Sequence, residues 1–317
     1  MSEPELSLSD LQATPDARDP RASALLAPAA TGTPLAGRRV LLGLPYDGGI
    51  PSRPGARFGP KALRDALSAF GTYGGMRELL DEPPVLDFGD LALPTTDGAQ
   101  AHRKIEEAAR RVFAAGARPI FLGGDHGCTG SVVRGLAAAR PDLKLALISI
   151  DAHLDVREYE SEQTLSSGTP FRRALETPIL DGERVAMIGV RRFANSRHYL
   201  EWARAQKVYL VTVERVGERG AATVARDALE SAAAEADAIY LSIDLDAIDA
   251  AFAPGVSATG VGGLSAREAI ELVTTLAADP RLVGADIMEL SPPFDDQSRT
   301  ARLGARLLLE LLAAAPR

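Results

Sequence analysis

Residues 145–155 read Leu-Ala-Leu-Ile-Ser-Ile-Asp-Ala-His-Leu-Asp, a short apolar run that ends in acidic residues and a histidine. From Arg38 onward, such apolar runs alternate with longer stretches rich in Ala, Leu, Glu and Arg that have helical spacing. This alternation predicts a parallel sheet, and strands this apolar are typical of a sheet covered on both faces. We therefore expect an α/β protein, a three-layer αβα sandwich with a mostly parallel sheet of about eight strands.

The predicted strands are the short apolar runs Val40–Leu44, Val85–Phe88, Pro119–Leu122, Leu145–Ile150, Val185–Val190, Val208–Val213, Ala238–Ile243 and Leu282–Ile287. Helices are predicted between most of them, at Pro60–Ser68, Ala99–Ala115, Thr129–Ala139, Ala221–Ala234, Ser265–Ala278 and Ala301–Ala314. Because the pattern continues without a linker, we expect one domain at residues 38–317. Residues 1–37 open with acidic residues where a secretory signal needs positive charge, and we expect them to form a flexible or loosely docked N-terminal arm.

The composition excludes several classes of protein. The 317 residues include 35 Lys and Arg against 43 Asp and Glu, a formal charge of −8, which argues against a nucleic-acid partner. No apolar stretch approaches the roughly 18–20 residues that a membrane-spanning helix needs, so we expect no membrane partner. The single cysteine, Cys128, cannot form an intrachain disulfide, and we expect a cytoplasmic protein.

Residues with metal-ligand chemistry follow three of the predicted strands, as Gly-Gly-Asp-His-Gly at 123–127, Asp-Ala-His-Leu-Asp at 151–155 and Asp-Leu-Asp-Ala-Ile-Asp at 244–249. Ligands of parallel sheets bind beyond the carboxyl ends of the strands. On extended backbone Asp151, His153 and Asp155 would point to one side, with Ala152 and Leu154 packed on the other. Carboxylates gathered in one pocket repel one another unless cations neutralise them, so the three motifs together predict a metal centre. Each motif alone could simply mark a strand-to-helix turn.

These strings resemble those of the arginase, agmatinase and formimidoylglutamase family of dinuclear manganese hydrolases. The resemblance includes Ser-Ile-Asp-Leu-Asp-Ala-Ile-Asp at 242–249 with Ala-Pro-Gly at 253–255, and it covers roughly Arg38 to the C-terminus. It also includes Ser-Arg-Pro-Gly-Ala-Arg-Phe-Gly-Pro at 52–60 and Asp-Ile-Met-Glu at 286–289, which look like the family's entrance loop and substrate-binding acid.

The resemblance implies two Mn²⁺ ions, although iron, nickel or zinc would also suit these ligands. One ion would be held by His126, Asp151, Asp155 and Asp244, and the other by His153, Asp151, Asp244 and Asp246. Water shared by two cations loses a proton near neutral pH, and the resulting hydroxide would attack a carbon that bears nitrogens. Asp155 would carry the proton to the leaving amine, and Glu289 would pair with the cationic amidine end of a small-molecule substrate. The resemblance also suggests a homo-oligomer.

One departure from the family pattern bears on the substrate. The arginase and agmatinase branches carry a shuttle histidine where this chain has Ser167, and serine does not titrate near pH 7. This stretch, the residues 191–196 and Ala250 in place of a proline are similar to the formimidoylglutamase branch. The implied reaction is N-formimino-L-glutamate plus water giving L-glutamate and formamide, in histidine breakdown.

A dicarboxylate substrate needs cationic or polar partners. Arg157, close to Asp155 in the sequence, is the first candidate and Arg191 the second, with Ser167 and Asn195 as further substrate-binding candidates. Arg157 could instead form a surface ion pair with Glu158 or Glu160, Arg191 could brace a loop, and Asn195 could close a turn.

Three other functions stay open. An agmatinase-like hydrolase of a guanidino compound would release urea. A protein that binds metal without catalysis would explain the loss of the shuttle histidine. A two-metal phosphoesterase would need further histidines in Asn-His and Gly-His strings, which this sequence lacks.

Overall fold

The central layer is one parallel sheet. The computed structural model describes residues 16–30, 32–159 and 164–314. Within these residues the strands are β1 (Leu26–Pro28), β2 (Arg39–Gly43), β3 (Val85–Asp90), β4 (Arg118–Leu122), β5 (Leu145–Ile150), β6 (Val185–Val190), β7 (Tyr209–Thr212), β8 (Ala238–Asp244) and β9 (Leu282–Met288). Their order across the sheet is β1-β3-β2-β4-β9-β8-β5-β6-β7. The expected three-layer sandwich is therefore confirmed, with nine strands in the described ranges instead of about eight.

Helices cover both faces of this sheet. In the described part of the chain they are α1 (Gly59–Ala66), α2 (Gly98–Ala114), α3 (Gly127–Ala139), α4 (Pro170–Leu175), α5 (Arg197–Ala205), α6 (Val213–Arg219), α7 (Ala221–Ala232), α8 (Ala266–Ala277) and α9 (Arg299–Ala313). Each of these helices is too short or too polar to cross a bilayer.

Alternation along the strands divides the core into two large clusters. In β5, Ala146, Ile148 and Ile150 pack in the cluster under α7, α8 and α9. Leu145 and Leu147 of the same strand pack in the opposite cluster, under α2 and α3. Because side chains of a strand alternate between the two faces, an almost wholly apolar strand is the expected consequence of burial on both sides.

The ninth strand lies inside the predicted arm. β1 pairs with β3, and Ala22 and Leu25 just before it are buried. This part of the arm is therefore docked on the edge of the sheet. Three residues that end in proline are too short a run to be recognised as a strand. Residues 1–15 of the predicted arm lie outside the described residues.

Helices α4, α5 and α6 were not predicted. They are short, and Val213, which was expected to end a strand, begins α6 instead. Thr212 explains this boundary, since its side chain accepts a hydrogen bond from the backbone N–H of Arg215 and so caps the helix. A cap of this kind ends a strand even where the next residue is β-branched.

Candidate metal centre

The topology brings the three motifs together. Strands β4, β9, β8 and β5 are neighbours at the middle of the sheet. His126 directly precedes α3 after β4, Asp151 follows β5, Asp244 is the last residue of β8, and Glu289 follows β9. Because all four strands are parallel, these side chains meet at one edge of the sheet.

The first group of possible ligands surrounds one imidazole nitrogen. His126 Nδ1 lies 3.1 Å from Asp151 Oδ2, 3.0 Å from Asp155 Oδ2 and 2.9 Å from Asp244 Oδ2. The four residues offer one ligand atom each, and these atoms lie within 4.8 Å of one another. The side chains of His126 and Asp151 are wholly buried.

A second group shares Asp151 and lies closer to solvent. His153 Nδ1 is 3.0 Å from Asp246 Oδ2 and 3.6 Å from Asp151 Oδ1. Ligand atoms of these three residues also lie within 4.8 Å of one another. The structure thus brings together all six of the residues that sequence analysis assigned to the metal centre.

We had expected extended backbone at residues 151–155. In the structure the backbone that presents these side chains is turned instead. β5 ends at Ile150, and Asp151 Oδ1 accepts a hydrogen bond from the N–H of His153 at 2.6 Å. Asp155 has a φ of 46°, in the left-handed region that few non-glycine residues adopt. Two local turns therefore aim the side chains at one point, whereas Ala152 and Leu154 are buried as predicted.

The same turn recurs after β8. Asp244 Oδ1 accepts a hydrogen bond from the N–H of Asp246 at 2.7 Å, so this aspartate caps a short 3₁₀ turn while its other oxygen faces His126. In both motifs the residues are spaced as Asp-X-(His/Asp). One oxygen of the first aspartate accepts a hydrogen bond from the backbone N–H two residues later, and its other oxygen faces His126.

The donor set fits a divalent cation. Within this cluster, three buried atoms have no hydrogen-bond partner among the described residues, namely His126 Nδ1, Asp151 Oδ2 and Asp246 Oδ1. A buried polar atom without a partner costs about 1–3 kcal/mol, which a coordinated ion would recover. Donor atoms around a six-coordinate ion are about 3 Å apart, close to the contacts of His126 Nδ1. Carboxylates with imidazoles suit hard or borderline ions.

Without metal, protons balance the charge of this cluster. Burial raises the pKa of Asp155 to about 6, and burial together with the charge of Asp246 raises the pKa of Asp244 well above its ordinary value. Burial opposes charge on His153 as well, but the carboxylates of Asp246 and Asp151 raise its pKa to about 12. The pKa of His126 is raised in the same way, since three carboxylates outweigh its burial. Both imidazoles are therefore protonated at neutral pH in the metal-free protein.

Glu289 lies beside this cluster with a φ of 68°. Its Oε1 accepts a hydrogen bond from the N–H of His126 at 2.7 Å, and its Oε2 accepts one from the hydroxyl of Ser257. Burial, followed by the charge of Asp244, raises the pKa of Glu289 well above its usual range. The side chain is 2% exposed and forms part of the wall of a cleft that reaches the metal centre.

This cleft has a volume of about 240 Å³, and polar and charged residues form much of its lining. Among the described residues Arg157 is the only lysine or arginine that lines it. The stem of Arg157 packs on Gly168, where an added Cβ would lie 2.5 Å from its Cδ. Glu158 approaches Arg172 at 3.6 Å, and Arg157 has no ion pair within the described ranges, which omit Glu160. Arg157 therefore keeps its guanidinium available to the cleft.

Ser167 also lines the cleft, opposite the loop that follows β2. Its N–H and its hydroxyl both donate to the carbonyl oxygen of Gly49, at 3.2 and 3.4 Å. Ser167 thus presents a small, non-titrating hydroxyl to the cleft.

Arg191 does not line this cleft. Its Nη1 donates to the carbonyl oxygen of Asp246 at 3.3 Å, and its guanidinium lies against Gly260. The prediction of a substrate contact is therefore not supported, and Arg191 braces the loop that carries Asp246. Sequence proximity to a strand end could not reveal that this side chain turns away from the pocket.

Asn195 lines the cleft and also holds the loop of the second motif. Its Oδ1 accepts a hydrogen bond from the N–H of Leu154, and its Nδ2 donates to the carbonyl oxygen of Ala152, both at 2.9 Å. The two bonds fix the backbone on either side of His153. The Asn195 amide therefore holds the loop of the second motif in place and also forms part of the cleft wall.

Replacing Asn195 with alanine is expected to lower kcat/KM by about 10–100-fold, because the loop that aims Asp155 and His153 loses both bonds. Saturating Mn²⁺ should recover part of this loss by holding the same loop. Steady-state kinetics at several Mn²⁺ concentrations measure both effects. Activity within twofold of the unmodified protein at low Mn²⁺ would show that the two Asn195 bonds are dispensable.

Sequence analysis missed a group of buried polar residues behind His126. They are Thr129, Tyr240, Ser242 and Asp286, all buried and joined by hydrogen bonds. The available signal was Ser242 and Asp286, two polar residues in otherwise apolar strands, because a buried polar group needs a partner. Burial raises the pKa of Asp286, and bonds from the three hydroxyls oppose that shift.

Comparison with known proteins identifies the family. The model of the arginase family matches residues 38–314. This chain belongs to the arginase family. Formimidoylglutamase of Halalkalibacterium halodurans is 34% identical over 286 residues, covering 88% of this chain and 89% of that protein. Guanidinobutyrase of Pseudomonas aeruginosa is also 34% identical, over 277 residues, covering 87% of this chain and 85% of that protein.

A solved structure agrees. The crystal structure of formimidoylglutamase from Bacillus subtilis matches this arginase-family chain with a TM-score of 0.89 and 30% identity, covering 96% of this chain and 94% of that one. The resemblance stated from the motifs is therefore confirmed, and this arginase-family protein is a hydrolase of C–N bonds. Relatives with different substrates are equally similar in sequence, so the choice of substrate has to be argued from the cleft.

Proposed function

We propose that this arginase-family hydrolase converts N-formimino-L-glutamate and water to L-glutamate and formamide, with two Mn²⁺ ions as cofactors. The observation that carries the proposal is that Ser167 lines the cleft. The resemblance of the motifs implies that other branches of the family have a shuttle histidine at this position. A formimino carbon bears one hydrogen and two nitrogens and is less stabilised by resonance than a guanidinium carbon. Its hydrolysis therefore depends less on a shuttle base.

The charges of the cleft suit a substrate with an amidine at one end and carboxylates at the other. Glu289 is buried beside the metal cluster and would pair with the cationic amidine. Arg157 lies at the exposed side of the cleft, where its planar guanidinium would bind a carboxylate of the substrate. Together these two residues would fix the orientation of the reacting carbon.

The six residues of the metal cluster would hold the ions, and Asp151 belongs to both groups of possible ligands. When bound, two divalent cations supply an acidified water near neutral pH. Asp155 lines both the cluster and the cleft, so its carboxylate would accept the proton of the attacking water and donate it to the leaving amine. Asn195 and Ser257 would hold Asp155's loop and Glu289 in place during this transfer.

The decisive assay compares products. Manganese-loaded protein is incubated with N-formimino-L-glutamate, agmatine, arginine and 4-guanidinobutyrate, and formamide and urea are quantified separately. We expect formamide from the first substrate and no urea from the others. Urea from a guanidino compound would contradict the proposal, and a protein that binds Mn²⁺ but releases neither product would be a metal-binding protein without this catalysis.

Replacing Arg157 with alanine is expected to raise KM for N-formimino-L-glutamate by about 10-fold, with a smaller change in kcat, because a charge-assisted bond of about 1.5 kcal/mol to the substrate carboxylate is lost. The control is Arg192→Ala. That arginine is equally exposed on a neighbouring loop but lies over Phe193, outside the cleft. A KM that changes alike in both variants would remove Arg157 from the substrate site.

A guanidino acid is the second candidate substrate. The relative named guanidinobutyrase is as similar as the formimidoylglutamase, and a guanidino acid also carries a cation and a carboxylate at opposite ends. Urea from 4-guanidinobutyrate, lost in Arg157→Ala, would establish this alternative. The single cysteine carries our proposal of a cytoplasmic location. The resemblance carries our proposal of a homo-oligomer, which light scattering of the purified protein checks.

A further inference from the structure

A chain of hydrogen bonds leads away from His126 on the side opposite the acidic cluster. His126 Nε2 lies 2.9 Å from Ser242 Oγ, and the Ser242 hydroxyl donates to Asp286 Oδ1 at 2.7 Å. Ser242 and Asp286 are register partners on β8 and β9. All three side chains have no solvent exposure, so no bulk water competes for these bonds.

Asp286 accepts hydrogen bonds from two further hydroxyl groups. Its Oδ2 accepts hydrogen bonds from Thr129 Oγ1 and from the Tyr240 hydroxyl, both at 2.8 Å. Each of the three hydroxyls owns a single hydrogen, and each directs it at this carboxylate. Three donors stabilise the anionic form of a carboxylate, which needs no hydrogen of its own in this arrangement.

These donor directions determine which nitrogen of His126 carries hydrogen. The only hydrogen of the Ser242 hydroxyl is used by Asp286, so the remaining role of Ser242 Oγ towards His126 is that of an acceptor. His126 must then donate from Nε2, so in the neutral imidazole, the form that can bind a metal, the lone pair is on Nδ1. Nδ1 is the atom that faces the oxygens of Asp151, Asp155 and Asp244.

We propose that Asp286, acting through Ser242, is a positioning residue that holds His126 in the Nε2–H tautomer and thereby keeps Nδ1 available to the metal. The inference rests on the metal centre proposed above. Without this arrangement the neutral imidazole could keep its hydrogen on Nδ1, bonded to the three neighbouring carboxylates, and the ligand position would stay blocked. The buried aspartate thus selects the metal-competent form of a histidine it does not touch.

The Asp286→Asn variant tests this with almost no change of shape. The amide can place its NH₂ group towards Ser242, whose hydroxyl would then donate to His126 Nε2 and move the imidazole hydrogen to Nδ1. We expect Mn²⁺ to bind about 10–100-fold more weakly, as measured by equilibrium dialysis. Ser242→Ala removes the acceptor itself and should weaken binding by a similar factor, which keeps the test available if the first variant folds poorly.

Ser149→Ala is the matched control. Ser149 is the register partner of Ser242 on β5, it is fully buried, and its hydroxyl has no partner in the part of the chain that the structure describes. Ser149→Ala makes the same serine-to-alanine change one strand away from Ser242. We expect this variant to bind Mn²⁺ with an affinity within twofold of the unmodified protein. Thermal unfolding of all metal-free variants shows whether each one is folded.

A spectroscopic readout separates tautomer selection from general loosening. In Zn²⁺-loaded, ¹⁵N-histidine-labelled protein, we expect a His126 Nε2–H signal protected from exchange, and its loss in Asp286→Asn and Ser242→Ala. Equal Mn²⁺ affinity in these two variants and the unmodified protein, or equal weakening in Ser149→Ala, would overturn the inference. An unmodified protein that binds Mn²⁺ yet releases no formamide would instead overturn the proposed function and leave this inference intact.

Discussion

Replacing Asp244 with asparagine is expected to lower kcat by about a thousandfold or more. Asp244 Oδ2 is 2.9 Å from His126 Nδ1, and we propose that this carboxylate is shared by both ions. Its loss removes several kcal/mol of stabilisation at the metal centre, and each 1.4 kcal/mol is a factor of ten in rate. The measurement is kcat at saturating Mn²⁺, together with Mn²⁺ binding by dialysis.

The fold should survive this change. Asparagine retains the oxygen that caps Asp246, and burial next to other carboxylates makes the native charge at position 244 unfavourable without metal. The metal-free variant should therefore unfold at a temperature no lower than that of the metal-free native protein. Added Mn²⁺ should raise Tm of the native protein much more than that of the variant.

Asp249→Asn provides the control from the same motif. Asp249 accepts hydrogen bonds from the backbone N–H groups of Ala251, Gly262 and Gly263 and contacts none of the six metal-cluster residues through its side chain. We expect its kcat to remain within a few-fold of the native value. A larger loss in Asp249→Asn than in Asp244→Asn would contradict the assignment of the metal centre.

Mn²⁺ binding is expected to release at least two protons, one from each imidazole, and to strengthen by at least about a hundredfold for each unit of pH, when both ions are counted. Without metal, the neighbouring carboxylates raise the pKa of His153 to about 12 and the pKa of His126 well above neutral, so both imidazoles hold a proton. A ligand nitrogen must lose its proton before it coordinates. At pH values below these pKa values, raising the pH therefore favours metal binding, and lowering the pH releases the metal.

Titration calorimetry in two buffers with different ionisation enthalpies counts the released protons. His153→Asn should reduce the count by about one, because asparagine offers a ligand oxygen but holds no titrating proton. The matched comparison is His102→Asn. His102 is buried on α2 beside Ser131, and burial lowers its pKa to about 4, so it is neutral before and after metal binding. Binding without proton release would show that the metal-free cluster is not balanced by imidazolium ions.

The strands in the middle of the sheet were predicted closely from local patterns of apolar residues in the sequence. β5 and β6 have the predicted bounds, and the other six predicted strands are present with ends shifted by up to two residues. Strands that are buried on both faces are apolar along their whole length, so they can be recognised in the sequence as continuous apolar runs. The same logic located the metal-cluster residues, because a charged residue directly after an apolar run marks the carboxyl end of a strand.

Segments whose conformation depends on distant contacts were not predictable in this way. β1 is a strand because β3 offers it an edge, and nothing within Leu26–Pro28 indicates that edge. The left-handed conformation of Asp155 likewise depends on the surrounding packing, since an isolated aspartate has little preference for it. Arg191 lies near a strand end yet turns to the carbonyl of Asp246, a contact 55 residues away in sequence.

The amino-acid sequence alone determined the layer architecture, the family and the six residues that cluster as possible metal ligands, because apolar periodicity and side-chain chemistry are local properties. The tertiary structure alone placed Ser242 and Asp286 behind His126, left Arg157 as the cation of the cleft in the described residues and directed Arg191 away from it. Those features arise from the order of strands in the sheet and from side-chain directions, which are set by contacts between residues far apart in the chain.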